Sequence, residues 1–307
     1  MSYADRDGVI WMDGVMVPWR EANTHVLTHS LHYATAAFEG VRAYKTPHGT
    51  AIFRLEEHIR RLFDTTHILG MKIPFTQAEV RQACVDCVRE NKLETAYLRP
   101  LAFYGSEGMG LHAETLSVHL SVAAWFWGAY LGGDALEKGI RIKTSSFTRN
   151  HVNSVLSKAK ATGNYLNSIM ALQEASRDGY DEALLLDKDG MVAEGSGENV
   201  FMVRKGVLYT PDPACALEGI TRETVMLLAQ EAGIKVVEKR ITRDEIYISD
   251  EAFFTGTAAE VTPIRELDNR AIGTGKPGPI TLLLQRAYLD TVQGLRACPP
   301  SWLTLVG

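Results

Sequence analysis

Residues Thr115 to Gly133 read TLSVHLSVAAWFWGAYLGG and contain no Asp, Glu, Lys or Arg. That length is marginal for a helix crossing a bilayer, so the segment decides whether the chain folds in lipid or in water. Leu116, Val118, Leu120 and Val122 alternate with Ser117, His119 and Ser121. Alternation with period two gives a strand one apolar and one polar face, which predicts a half-buried β-strand. The rest, WFWGAYLGG, carries Gly128, Gly132 and Gly133 and reads as a loop. The chain is therefore read as soluble, with neither a membrane span nor a membrane partner. Its composition, 46% hydrophobic and 22% charged, supplies a full core. The net charge of −5 offers no basic excess for nucleic acid. The opening MSYADRDGVIWMDG has acidic residues and no apolar run, unlike a signal peptide.

The 307 residues suggest about two domains. In the first half, GVIWMDGVMVPW reads as a hairpin turned at Asp13-Gly14, and VRAYKTPHGTAIFR as two strands around Pro47–Gly49. LEEHIRRLFDTTHILGM is a helix with Leu55, Ile59, Leu62 and Phe63 on one stripe. TQAEVRQACVDCVRENKL is a second, opened by Thr76. TAYLRPLAFYG is a further strand. In the second half, IRIKTSSF is a strand and HVNSVLSKAKATGNYLNSIMALQEASRDG a long helix, interrupted or capped around Lys160 to Asn164. EALLLDKDGMVAEG and NVFMVRKGVLYTP read as strand pairs, and ITRETVMLLAQEAG as a helix with Thr221 as its cap. KVVEKRIT is a strand, RDEIYIS a short helix, EAFFTGTAAEVTPI a strand entering a turn, and GPITLLLQRAYLDTVQG the last helix. The fold class is α/β (α+β). The expected division is a small N-terminal α/β domain at 1–129, an interdomain loop at 130–135 and a larger C-terminal α/β domain at 136–307.

Several standard signatures fail. GTGKPGP has Arg270 and Pro277 where a phosphate-binding P-loop needs glycine and Ser/Thr, and GSGENV runs into a strand where a dinucleotide fingerprint needs a helix. His25, His29 and His32 lack an accompanying carboxylate, so no metal site is expected. Cys84 and Cys87 form C-x-x-C in mid-helix. A redox pair belongs at a helix N-terminus, so both are read as packing residues of a reduced, cytoplasmic protein. What remains is SKAKATGNYLNS, Ser157 to Ser168, with two lysines among small residues. A carbonyl-attacking amine must be deprotonated part of the time, which partial burial favours. Taken alone, though, Lys158 and Lys160 read better as two solvent-facing lysines on a helix.

The wider pattern is more specific. KAKATGNYLNS resembles the lysine segment of fold-type IV pyridoxal 5'-phosphate (PLP) aminotransferases. LHYATAAFEGVRAY, EEHIRRL, AYLRP, EGMGL, WGAYLG, AEGSGENVF, LEGITRE and TGTAAEVTPI follow in the order of the branched-chain amino acid aminotransferases. FEGVR (Phe38–Arg42) and YLR (Tyr97–Arg99) resemble that type rather than D-amino acid or (R)-amine transaminases or aminodeoxychorismate lyases. A non-catalytic small-molecule-binding protein is the rival from another class. One departure is Ala34, where many relatives have glycine after the tyrosine.

The resemblance implies a transaminase that moves the amino group of L-leucine, L-isoleucine or L-valine to 2-oxoglutarate, giving L-glutamate. It implies that Lys160 bonds covalently to PLP and carries protons, that Glu194 faces the pyridine nitrogen, and that Tyr165 meets the phenolate oxygen. Arg61, chosen over Arg60 by its spacing from His58, would bind the phosphate with Ile220, Thr221 and Thr257; Leu217 would also line the cofactor. Arg222 and Glu198 would be a solvated and a structural residue. The substrate would meet Tyr33, Phe38, Gly40, Tyr97, Arg99, Tyr130, Ala258 and Ala259, with Arg99 taking glutamate's distal carboxylate, which suits a guanidinium. Gly108–Leu111 would fold over the pocket. The resemblance further implies a homodimer at least, and a homohexamer, with Tyr33 reaching in from a second subunit.

Overall fold

A computed structural model of the chain describes residues 2–128 and 133–307. They fall into two compact units. The first takes in the chain up to Gly128, the short segment Ala159–Gly163 that carries Lys160, and Thr291–Gly307. The second holds Asn164–Asp290 and the stretch that ends at Lys158. Positions 130–132 of the expected interdomain loop lie outside the described residues.

The first unit begins with β1 (Val9–Met12) and β2 (Val15–Pro18). Asp13 and Gly14 turn this hairpin with φ of 48° and 98°, the left-handed pair that a two-residue turn requires. Next come α1 (His29–Tyr33), β3 (Ala36–Phe38), β4 (Val41–Thr46) and β5 (Gly49–Phe53). α2 (Leu55–Ile68), α3 (Gln77–Glu90), β6 (Ala96–Tyr104) and β7 (Val118–Trp125) complete it. The sheet is antiparallel, in the order β5-β4-β6-β7-β1-β2, with β3 paired to β6. A C-terminal strand, Leu303–Leu305, closes the β5 edge. The uncharged segment thus supplies β7, whose Leu120 and Val122 are buried as its period requires. No described helix is long and apolar enough to cross a membrane.

The helices cover this sheet with the residues their spacing selects. Leu55, Ile59 and Leu62 of α2 join Val80, Cys84, Cys87 and Val88 of α3 in the core. Each such aliphatic side chain contributes about 1.5–3 kcal/mol by leaving water. Thr76 opens α3 with a full capping box to Glu79. The Cys87 thiol donates to the Val122 carbonyl, and burial pushes its pKa up to about 12. Burial likewise raises Cys84 well above the usual thiol range. Both are packing residues, as expected.

The second unit contains α4 (Ala135–Lys138), β8 (Ile140–Thr144), α5 (Tyr165–Arg177), β9 (Glu182–Leu186), β10 (Val192–Gly195) and β11 (Asn199–Arg204). β12 (Val207–Thr210), α6 (Ile220–Glu231), β13 (Val236–Glu238), α7 (Arg243–Tyr247), β14 (Glu251–Gly256), β15 (Glu260–Leu267), β16 (Arg270–Ala271) and α8 (Pro279–Val292) follow. The sheet runs β10-β9-β8-β15-β14-β11-β12-β13, with β16 on β15. It is mixed: β8 is parallel to β9 and β15, and β12 to β13.

Three local expectations need correction. Residues 151–161 are not helical; α5 starts only at Tyr165, after a short turn at Thr162–Asn164. The backbone there has tertiary partners instead: Ala161 bridges Ala37, and the Lys160 N–H donates to Thr65 Oγ1 at 3.0 Å. Thr221 is not the cap of α6; Gly219 is, so Thr221 lies inside the first turn. EAFFTGTAAEVTPI is two strands, since EVTPI begins β15.

Ala34 ends α1 in the left-handed region, at φ 54° and ψ 30°, with its N–H bonded to Ser30 O. Left-handed backbone costs a residue with a Cβ about 1–2 kcal/mol. Substituting glycine returns about 0.4–1 kcal/mol of freedom to the unfolded chain, which offsets part of the relief. Ala34→Gly should therefore raise stability by up to about 1 kcal/mol, read as a higher urea midpoint. A lower midpoint would mean that packing of the methyl group outweighs the strain.

Candidate active site

In the first unit, β3 delivers Phe38 to the Lys160 segment. The Phe38 N–H donates to Lys160 O at 3.1 Å, and Lys160 Nζ lies 4.9 Å from the Phe38 ring centroid. Lys160 is half-buried. Lys158, two residues earlier, is exposed and belongs to the second unit, where it donates to Pro213 O at 2.6 Å and pairs with Glu218 at 2.8 Å. The two lysines are thus placed differently: one is tied at the surface to Glu218, the other stands over an aromatic face.

Arg99 lies over the same ring, its Cζ 4.6 Å from the Phe38 centroid. It donates to Tyr97 Oη at 2.9 Å. Its Nε is buried and finds no acceptor among the described residues. Tyr97 is fixed by Trp127, edge-on at 4.5 Å, and by Trp125 at 5.1 Å. Gly40 is required here, because a Cβ at that position would stand 2.1 Å from Tyr97 Oη. Phe38, Gly40, Tyr97 and Arg99 are therefore one packed group. Tyr33 packs against the His29 ring and accepts from the Gly110 N–H at 3.2 Å, which ties it to the Gly108–Leu111 loop. His29, His32 and His25 each hold a hydrogen bond to the surrounding chain. Tyr130 lies outside the described residues.

Arg61 is held by a residue that the sequence did not single out. Glu39, fully buried, accepts from Arg61 Nε at 2.7 Å, Arg61 Nη2 at 2.9 Å, His58 Nδ1 at 2.7 Å and its neighbour Gly40 N at 3.2 Å. Burial pushes the Glu39 carboxyl up, but Arg61 and His58 outweigh it and hold the group well below the ordinary carboxylate range. Burial also lowers His58, against the pull of Glu39 and with help from the charges of Arg61 and Lys160. We take Arg61 as the cation of the trio and His58 as neutral, its Nδ1 protonated because an ionised carboxylate can only accept. Arg60 is exposed.

The second unit holds the other residues. Glu194 ends β10 almost buried, with Arg149 Nε 2.6 Å from its Oε1. Arg149 Nη1 also reaches Asn167 and Ser168 of α5, the helix that Tyr165 begins. The Leu217 N–H donates to Glu194 Oε2 at 3.3 Å, and Asn199 Nδ2 donates to Leu217 O at 3.0 Å. Ile220 and Thr221 open α6 with no side chain capping them, so their N–H groups point out of a positive helix end. Thr257, Ala258 and Ala259 form the turn from β14 to β15. Asn199 pairs with Thr255 across the ladder, which ties that turn to the Leu217 segment. Arg222 is not solvated but buried, bonded to Pro211 O and Glu238. Glu198 is buried, consistent with a structural part. Arg149 gave no signal in the sequence, where a lone arginine after a strand reads as solvated. Glu39 lies inside the FEGVR motif, where its sequence neighbours give no sign of burial.

The family model for class IV amino-transferases matches residues 36–267. A branched-chain-amino-acid aminotransferase of Pseudomonas aeruginosa is 61% identical over 306 residues, covering 100% of both chains. Among solved structures, a T.th. branched-chain amino acid aminotransferase complexed with N-(5'-phosphopyridoxyl)-L-glutamate is 48% identical, with a TM-score of 0.95. The same enzyme complexed with 4-methylvaleric acid is 47% identical, with a TM-score of 0.94. Both alignments cover 98% of this chain and 99% of that one.

The buried trio fixes how acid acts on the fold. Below about pH 6.5 an unfolded histidine takes a proton that folded His58 refuses, so the unfolded state binds more protons and stability is lost as the pH drops. Below about pH 4.3 the same holds for Glu39, whose folded pKa is also depressed. Stability should rise with pH through both windows. His58→Asn should flatten the urea midpoint between about pH 5 and 6.5 relative to wild type; a parallel pH profile would refute a neutral, buried His58.

Proposed function

The chain belongs to the class IV aminotransferases, and from that membership we propose the roles of its residues in a branched-chain amino acid transamination. The reaction moves the amino group of L-leucine, L-isoleucine or L-valine to 2-oxoglutarate, giving branched 2-oxo acids and L-glutamate. The observation that carries this reading is the 61% identity, over the whole length, to a protein of that name.

The residues present fit PLP. An amine against an aromatic face suits an aldehyde, a nearly buried carboxylate suits a ring nitrogen, and an uncapped helix end suits a phosphate. When bound, PLP supplies the electron sink that lets an amino acid lose its Cα proton. Lys160 would be the covalent attachment point, and its freed amine would be the group that takes and carries the proton from the substrate's Cα. Glu194, backed by Arg149, presents negative charge to the pyridine nitrogen, and Tyr165 donates to the phenolate oxygen. Ile220 and Thr221 amides, the Thr257 hydroxyl and Arg61 bind the phosphate, while Leu217 steadies Glu194.

Substrate recognition follows from the aromatic group. Phe38 and Tyr33, with Tyr130, are assigned to the apolar wall for the aliphatic side chain. Arg99, whose buried Nε has no described acceptor, is assigned to glutamate's distal carboxylate. Tyr97 and the Ala258 and Ala259 amides take the α-carboxylate. The ligands of the T.th. enzyme support this pairing, one carrying glutamate and the other, 4-methylvaleric acid, having leucine's carbon skeleton. We also place the protein in the cytoplasm as a homodimer at least, and as a homohexamer. Support comes from exposed apolar side chains in each unit, Val26 and Leu31 in one, Leu166 and Ile169 in the other.

Reducing the holoenzyme with borohydride should leave the cofactor on the peptide containing Lys160. Lys160→Ala should lose about 100-fold or more of its turnover of L-leucine with 2-oxoglutarate. Cofactor trapped on Lys158 would sink the assignment. Arg99→Gln should raise KM for L-glutamate by about tenfold while leaving that for L-leucine nearly unchanged. An equal rise for L-leucine would argue against Arg99 as the carboxylate's partner.

A further inference from the structure

We propose that Glu39 is a positioning residue, fixing the guanidinium of Arg61 in the orientation that grips the cofactor's phosphate. The inference rests on the reading of Arg61 as a phosphate ligand. Glu39 engages the Nε and Nη2 edge of Arg61 at 2.7 and 2.9 Å, which sets the plane of the guanidinium. A fork held along one edge aims its remaining N–H groups in a fixed direction.

The donors around Glu39 show why a carboxylate stands there. Oε1 accepts from Arg61 Nε; Oε2 accepts from Arg61 Nη2, His58 Nδ1 and Gly40 N. All four are N–H groups, so only a group with two hydrogen-free oxygens satisfies them. A glutamine would turn its NH2 toward Arg61 Nε in one orientation and toward Arg61 Nη2 and Gly40 in the other. Either way Arg61 loses one of these bonds to Glu39, and the edge that fixes its plane is released.

The same side chain is joined to the rest of the unit's chemistry. His58, Arg61 and Thr65 recur at i, i+3 and i+7, one face of α2. The first two hold Glu39, and the third holds the Lys160 N–H. Glu39 itself stands between Phe38, bonded to the Lys160 carbonyl, and Gly40, packed beneath Tyr97. A bystander counter-ion would predict the opposite outcome from a positioning residue. Removing a negative charge beside Arg61 should strengthen phosphate binding if Glu39 only neutralises, and weaken it if Glu39 orients.

The test is the ratio of the apo-protein's Kd for pyridoxal to its Kd for PLP, measured by equilibrium dialysis, since the two ligands differ in the phosphate alone. Glu39→Gln should reduce that ratio about tenfold, by weakening PLP and leaving pyridoxal unchanged. Glu39→Asp, which keeps the charge but shortens the reach, should reduce it less and serves if the glutamine variant does not fold. A ratio that is unchanged or larger in the folded variants overturns the proposal, as does an equal loss of both ligands, which marks general damage. Arg61→Ala is the separate check on the reading beneath. A wild-type ratio in that variant would remove Arg61 from the phosphate, whatever the Glu39 variants do.

Discussion

The Glu39 carboxylate is a charge placed where water cannot solvate it, and much of the first unit is arranged around that fact. An ionised group so deeply buried is tolerated only when its lone pairs are filled and a counter-charge stands beside it. Arg61 and His58 meet both needs, and both come from one face of α2. The orientation of α2 about its own axis is thereby set, and the apolar stripe of Leu55, Ile59 and Leu62 must follow it into the core. Thr65, one turn beyond Arg61, then stands where it can receive the Lys160 N–H. The Lys160 backbone is thus held by the same helix face that holds the ion pair.

Elements whose reasons are local were readable from the sequence. Asp13-Gly14 turns its hairpin because two left-handed residues are needed in a row, and this pair tolerates that. Thr76 and Glu79 close a capping box within four positions. The alternation in β7 encodes a strand whatever surrounds it. Elements decided at a distance were not readable. Residues 151–161 have small, helix-compatible side chains, yet Ala37 and Thr65, more than ninety positions earlier, claim their backbone. The C-terminal strand is three residues long and exists because β5 offers it an edge. Arg222 looked solvated on a helix until Pro211 and Glu238 closed over it.

The site divides the same way. Lys160 and Glu194 could be picked out only because their motifs occur in a known order; as isolated residues, each reads better as a surface side chain. The structure supplies the physical difference between Lys158, tied to Glu218, and Lys160, set against Phe38. What motif order could not supply were the supporting charges. Glu39 and Arg149 are ordinary charged residues in the sequence, and their roles appear only once the fold removes them from water and gives each a partner of opposite sign.

Arg99 offers a physical answer to how one pocket could take both an aliphatic chain and a carboxylate. A bare cation would repel the first, and a bare apolar wall would reject the second. Here the guanidinium carbon stands 4.6 Å from the Phe38 ring centroid, where a flat face could rest on the ring, and one N–H is spent on Tyr97. Stacking covers the weakly hydrated face and leaves the in-plane N–H groups as the polar surface. An aliphatic side chain against the Phe38 ring would meet hydrocarbon, while a carboxylate approaching in the guanidinium plane would meet donors. The two substrates would then use different directions of approach to the same stacked pair, with no rearrangement between half-reactions. Because Tyr97 bonds to Arg99 and Gly40 leaves room for Tyr97, the proposed selectivity would rest on a position where even one methyl group is too large.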